Sequence, residues 1–161
     1  MKRVIFIGQA MPRFKKDLHD WPSLNTWLHS IGIINKDIRK YFFYSALVNY
    51  FPGSKNGSHK VPIGDEIKKE RKRLAKTIKD FNSQIVVTIG KLSLSHCLQK
   101  DVDLLDKFIG KIYTIDPYGL LGREVLVIPF PHPSGASTWY RKTENKKLLD
   151  KALNLLKINI N

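Results

Sequence analysis

The residues with the most evident chemistry lie near the C-terminus, in the run Pro129-Phe130-Pro131-His132-Pro133-Ser134-Gly135. Three prolines and a glycine stiffen this stretch, so the imidazole of His132 leaves the chain in a fixed direction. A histidine held in this way is suited to donating a hydrogen bond or to stabilising negative charge that develops during a reaction. The plainer alternative is a histidine packed and satisfied inside a turn. A second candidate lies near the N-terminus, Gly8-Gln9-Ala10-Met11-Pro12, where a glycine permits a tight turn and the amides that follow can point into a pocket. An ordinary turn from strand to helix would also explain Gly8 and Pro12.

These two segments need elements to hold them. Four apolar runs, Val4 to Ile7, Phe42 to Val48, Ile85 to Ile89 and Val125 to Phe130, are rich in β-branched or aromatic residues and read as buried strands. Helical spacing appears between and after them: Leu24, Trp27, Leu28 and Ile31; Ile67, Leu74 and Ile78; Leu92, Leu94 and Leu98; Leu148, Leu149, Leu153 and Leu156. Strands alternating with helices predict an α/β fold whose mostly parallel sheet is covered on both faces. In such a fold the site lies at the carboxyl ends of the strands, which is where both chemical segments fall.

The chain has 161 residues and reads as one domain, 1–161, with a hydrophobic fraction of 42% that allows a packed core. Twenty-eight Lys and Arg against 14 Asp and Glu give a net charge of +14, which favours a polyanionic partner such as nucleic acid or an acidic membrane face. The single cysteine, Cys97, cannot close a disulfide within the chain or ligate an iron–sulfur or structural zinc site alone. No apolar stretch reaches the length of a signal-peptide core or a spanning helix, so the expected location is the cytoplasm, away from the membrane. Lys68 to Lys79 carries seven basic residues and reads as a solvated helix face that also adds phosphate affinity. The segment Ser54 to Lys60 reads as a flexible loop.

With Gly8-Gln9-Ala10 and His132-Pro133-Ser134-Gly135 in this order and place, the sequence resembles the uracil-DNA glycosylase superfamily. Supporting matches run through most of the chain: Trp21 with Leu24, Trp27 and Leu28; Val48 to Gly53; Val86 to Gly90; Phe108 to Lys111; Gly122 to Glu124. The resemblance implies a three-layer α/β/α domain with a central four-stranded parallel sheet, which flips a damaged base out of DNA and hydrolyses its N-glycosidic bond. It implies no metal or nucleotide cofactor, and because the cluster-bearing branches use four cysteines, the single Cys97 points to a cluster-free branch or an unassigned one. By the same resemblance His132 hydrogen-bonds the base oxygen where negative charge accumulates, and Gly8, Gln9 and Ala10 line the pocket. Trp21 falls where the family places its stacking aromatic, with a core tryptophan as the alternative. Ser134 is expected on a phosphate, and the loop through Gly135, Ala136 and Ser137 to Trp139, Tyr140, Arg141 and Lys142 is expected to enter the minor groove. Ala136 is too small for a wedge, which leaves Trp139 or Tyr140 for that task and Arg141 and Lys142 for phosphates.

The departures from the family pattern bear on activity. Relatives carry an acid or an asparagine in the first motif, whereas Gln9 orients a water by hydrogen bonds without accepting its proton. Asp17, His19 and Asp20 lie just beyond, and of these Asp20 is the favoured base, with a helix cap as its alternative role. Ala46 stands where relatives read the uracil amide edge with an asparagine, and Asn49 substitutes only if the strand end is shifted. Uracil, hypoxanthine, xanthine or another damaged base thus remain open as substrates of a monomeric, monofunctional excision enzyme. The rival readings are a relative that binds DNA or a damaged base without excising it, and a hydrolase of free nucleosides or nucleotides.

Overall fold

The computed structural model describes residues 1–14, 20–133 and 139–161. The four apolar runs form the parallel strands β1 (Val4–Ala10), β2 (Phe42–Val48), β5 (Ile85–Ile89) and β7 (Val125–Phe130). Five helices accompany them in the described residues: α1 (Pro22–Ser30), α2 (Asn35–Tyr41), α3 (Gly64–Asp80), α4 (Gly90–Leu98) and α5 (Thr143–Asn159). The expected four-stranded parallel sheet gains a fifth, antiparallel strand, β6 (Tyr113–Ile115), giving the order β2-β1-β5-β7-β6. A short hairpin, β3 (Ser54–Lys55) with β4 (Ser58–His59), replaces the expected flexible loop. Its cause is local: Asn56 and Gly57 both take positive φ, 52° and 76°, the backbone that a two-residue hairpin turn requires and that Asn-Gly supplies at least cost.

The sheet is the middle of three layers. Val4, Phe6, Ile85, Val87, Ile128 and Phe130 point to one face, against α1, α2 and α5. Ile5, Ile7, Val86, Val125 and Val127 point to the other, against α3 and α4. Alternation along each strand therefore feeds two apolar cores, which is why these runs are continuously hydrophobic rather than alternating with polar residues.

β2 is an edge strand, and α3 seals it. Arg73 donates from Nη2 to the Ala46 and Leu47 carbonyls at 2.8 and 3.3 Å and from Nη1 to Ser45 Oγ at 3.2 Å. Glu70 pairs with Arg73 at 3.5 Å and accepts the Asn49 amide at 2.8 Å. Arg71 donates to the Tyr118 carbonyl at 2.5 Å. Two members of the basic run are thus spent on the fold, while Lys68, Lys69, Lys72, Lys76 and Lys79 remain on the exposed face. Covering an edge in this way also removes a template for pairing with another chain.

Candidate active site

The register aligns the carboxyl ends of the parallel strands: Ala10 lies opposite Val48, and Ile89 opposite Phe130. The chain leaves β1 for β2 on one side and returns to β5 on the other, so the direction of winding reverses between β1 and β5. A crevice opens at such a point because the two connections diverge there. A cleft of about 620 Å³ occupies this position, lined by Gln9 near the end of β1, Gly90 and Lys91 after β5, His132 after β7, and Asp101 and Asp103 from the loop that follows α4. The two segments with evident chemistry, more than a hundred residues apart in sequence, therefore share one wall-to-wall space.

His132 is half-buried between Pro131 and Pro133, both buried. Behind it runs a file of aromatic rings. Trp21 meets the imidazole edge to face at 5.7 Å, and Tyr44 lies 5.3 Å from Trp21 on its other side. The file ends at Gly8, where a Cβ would overlap the Tyr44 hydroxyl and stand 3.2 Å from its ring carbon Cζ. Glycine in the first motif is thus required by close approach of a side chain. Burial pushes the Tyr44 phenol far above its ordinary range, so it stays neutral. The end of β1 is pinned from the opposite face by Ser93 of α4, whose hydroxyl donates to the Ile7 carbonyl at 2.5 Å. An oriented histidine that shares a cleft with an amide side chain can donate hydrogen bonds to a group that gains negative charge.

The remaining expected residues are distributed as follows. Gln9 and Ala10 are half-buried at the end of β1, with Gln9 in the cleft. Trp21 is only 7% exposed, a core residue that backs His132 and presents little open surface. Asp20 is exposed at the start of the turn into α1 and does not line the cleft. Asn49 is exposed at the outer end of β2, its amide tied to Glu70, and it too stands outside the cleft. Ala46 is fully buried. Asp17, His19, Ser134, Gly135, Ala136 and Ser137 lie outside the described residues.

Trp139, Tyr140 and Arg141 form a short 3-10 turn, and the side chain of Tyr140 lies outside what is described. The Trp139 indole N–H donates to the Asp106 carboxylate, and its carbonyl accepts from Asn145 Nδ2 at 2.6 Å. Its ring packs against the core beneath α5. Trp139 is thereby an anchor for the end of the loop that follows His132. Arg141 and Lys142 are exposed.

Sequence reasoning missed the acids of the 101–103 loop, which carry no motif and show their relevance only through the cleft they line. Of these, Asp103 is committed: it accepts the Lys107 ammonium at 2.9 Å and the Leu104 amide at 2.8 Å, and these bonds hold its carboxyl below the usual range. Among the described residues, no group of histidine, cysteine and acids is arranged to hold a metal ion. No helix in the described residues is long and apolar enough to cross a membrane.

Comparison with protein families finds a match to the model described as the Uracil DNA glycosylase superfamily over residues 2–157. Comparison with curated proteins gives no match.

Proposed function

From the premise that this chain belongs to the uracil-DNA glycosylase superfamily, we propose that it is a monofunctional DNA glycosylase, hydrolysing the N-glycosidic bond of a flipped uracil or other deaminated base. One observation carries the reading: His132, clamped by two prolines, faces the same cleft as Gln9 at the reversal point of the sheet. Cleavage leaves negative charge on the departing base and positive charge on the sugar, so a hydrogen-bond donor fixed beside the base lowers the barrier. His132 is that donor. Gln9 orients water or the base edge, and Gly8 and Ala10 shape the wall. Trp21 and Tyr44 hold the imidazole in place, so the donor does not have to be ordered during the reaction.

The partner is DNA, met by the lysine-rich exterior as a monomer in the cytoplasm, at the nucleoid. Arg141, Lys142 and the loop through Ser134, Gly135 and Ser137 contact phosphates and the gap left by the flipped nucleotide. Ala46 is fully buried and Asn49 stands on the outer edge, so neither supports a side-chain amide reading the uracil edge. The accepted base is therefore open among uracil, hypoxanthine and xanthine.

The test is an excision assay on labelled duplexes and single strands, each holding one of these bases or none, followed by alkali to break abasic sites. Release from one lesion that His132→Ala abolishes is expected. Tight, salt-sensitive binding with no release from any lesion would instead favour the binding-only reading, for which the absence of a carboxylate at Gln9 and Ala10 speaks.

A further inference from the structure

The first motif contains no group that can accept a proton from water, yet hydrolysis of a glycosidic bond must dispose of one. Two carboxylates line the cleft with Gln9 and His132, those of Asp101 and Asp103. Asp103 is held by Lys107 and by the Leu104 amide. Several other acids are engaged elsewhere, Asp106 by Trp139, Asp116 by the Leu121 and Gly122 amides at 2.8 and 2.9 Å, Glu66 by Tyr50 at 2.5 Å and Glu70 by Arg73, and the remaining acids among the described residues do not line this cleft. Asp101 is exposed to the cleft and makes no hydrogen bond or ion pair among the described residues.

Resting on the glycosylase reading above, we propose that Asp101 is the catalytic base, supplied from the loop after α4 in place of an acid in the first motif. The water oxygen, oriented by Gln9, bonds to the anomeric carbon of the deoxyribose as the carbon–nitrogen bond breaks. The bonding pair leaves with the base, whose developing charge His132 stabilises, and the water proton passes to the Asp101 carboxylate. That proton is later returned to solvent or to the released base, so the enzyme ends unchanged. The charged groups facing Asp101 across the cleft are Lys91 of α4, Asp103 of the same loop and, when protonated, His132 of the segment after β7.

The experiment compares the parent protein with Asp101→Asn and Asp101→Glu in single-turnover excision from the best lesion-bearing duplex, over a range of pH. Affinity for a duplex with a tetrahydrofuran abasic site is measured alongside. Asp101→Asn is expected to slow excision by about 100-fold or more at every pH tested, with Asp101→Glu restoring part of the rate. Affinity for the tetrahydrofuran duplex and the melting temperature stay unchanged. An Asp101→Asn rate within about 3-fold of the parent, in a protein that His132→Ala inactivates, overturns the role of Asp101 alone. A parent that releases no base from any duplex overturns the glycosylase reading itself, and with it this role.

Discussion

Replacing Gly8 by alanine tests the aromatic file behind His132 without any assumption about substrate. A Cβ at this position overlaps the Tyr44 hydroxyl, and Tyr44 cannot retreat freely, because its other side is packed by Trp21 at 5.3 Å. Overfilling of a rigid, buried site of this kind costs about 1–3 kcal/mol. Removing the colliding oxygen in Tyr44→Phe should relieve most of it, since the nearest remaining contact is then Cζ at 3.2 Å, which a shift of a few tenths of an ångström accommodates. Gly8→Ala combined with Tyr44→Phe should therefore be more stable than the two single effects predict, by about 1 kcal/mol or more. Urea unfolding of the four proteins at constant m reads this coupling directly. Because Trp21 also touches His132, at 5.7 Å, the imidazole resonances should move in Gly8→Ala and return toward their parent positions in the double variant. Single effects that add to within about 0.5 kcal/mol, with unmoved imidazole resonances, would refute the reasoning.

Arg73→Ala removes the donor that covers the outer edge of β2, leaves the Ala46 and Leu47 carbonyls without it, and should cost about 2–4 kcal/mol by urea unfolding while promoting association of the native protein seen by light scattering. Trp139→Phe loses the indole donor to Asp106 together with part of the ring, so the bond is read as coupling: a double-mutant cycle with Asp106→Ala, which leaves no acceptor, should show non-additivity of about 1 kcal/mol, and strict additivity would refute the bond. Burial pushes the Cys97 thiol up to about 12, so thiol reagents at pH 8 should label it only after unfolding. The same shift has a sign for stability: the unfolded thiol ionises from about pH 8.5 while the folded one stays protonated, so its stabilising contribution is complete below that pH and is lost as pH rises toward 12.

The four parallel strands were legible because a strand buried on both faces must be apolar at every position, and Val4 to Ile7, Ile85 to Ile89 and Val125 to Phe130 are nearly so. α1, α3 and α5 announced themselves by one-sided leucine and isoleucine spacing, whereas α4 buries Ser93, Leu94 and Cys97 rather than the expected Leu92, Leu94 and Leu98 face. Pro131 and Pro133, which flank His132, were equally plain, since proline fixes its own backbone. β6 has only three residues and α2 only seven, too few for a period to show, and their existence rests on neighbours. The hairpin signal at Asn56-Gly57 was present but sits between strands of two residues each.

What the sequence by itself determined is the set of properties each segment carries alone: apolar runs, helical periodicity, a rigid histidine, and a net charge of +14. What only the tertiary structure decided is which distant residues meet. Gly8 is small because of Tyr44, Arg73 reads as a free charge until β2 is placed beside it, and Ser93 holds the Ile7 carbonyl across 86 positions. Asp101 is one acid among fourteen acidic residues until the loop after α4 brings it to the cleft of Gln9 and His132. The physical reason is that propensity and hydrophobicity act within a few residues along the chain, whereas hydrogen bonds, steric exclusion and a shared cleft act across a few ångströms of space.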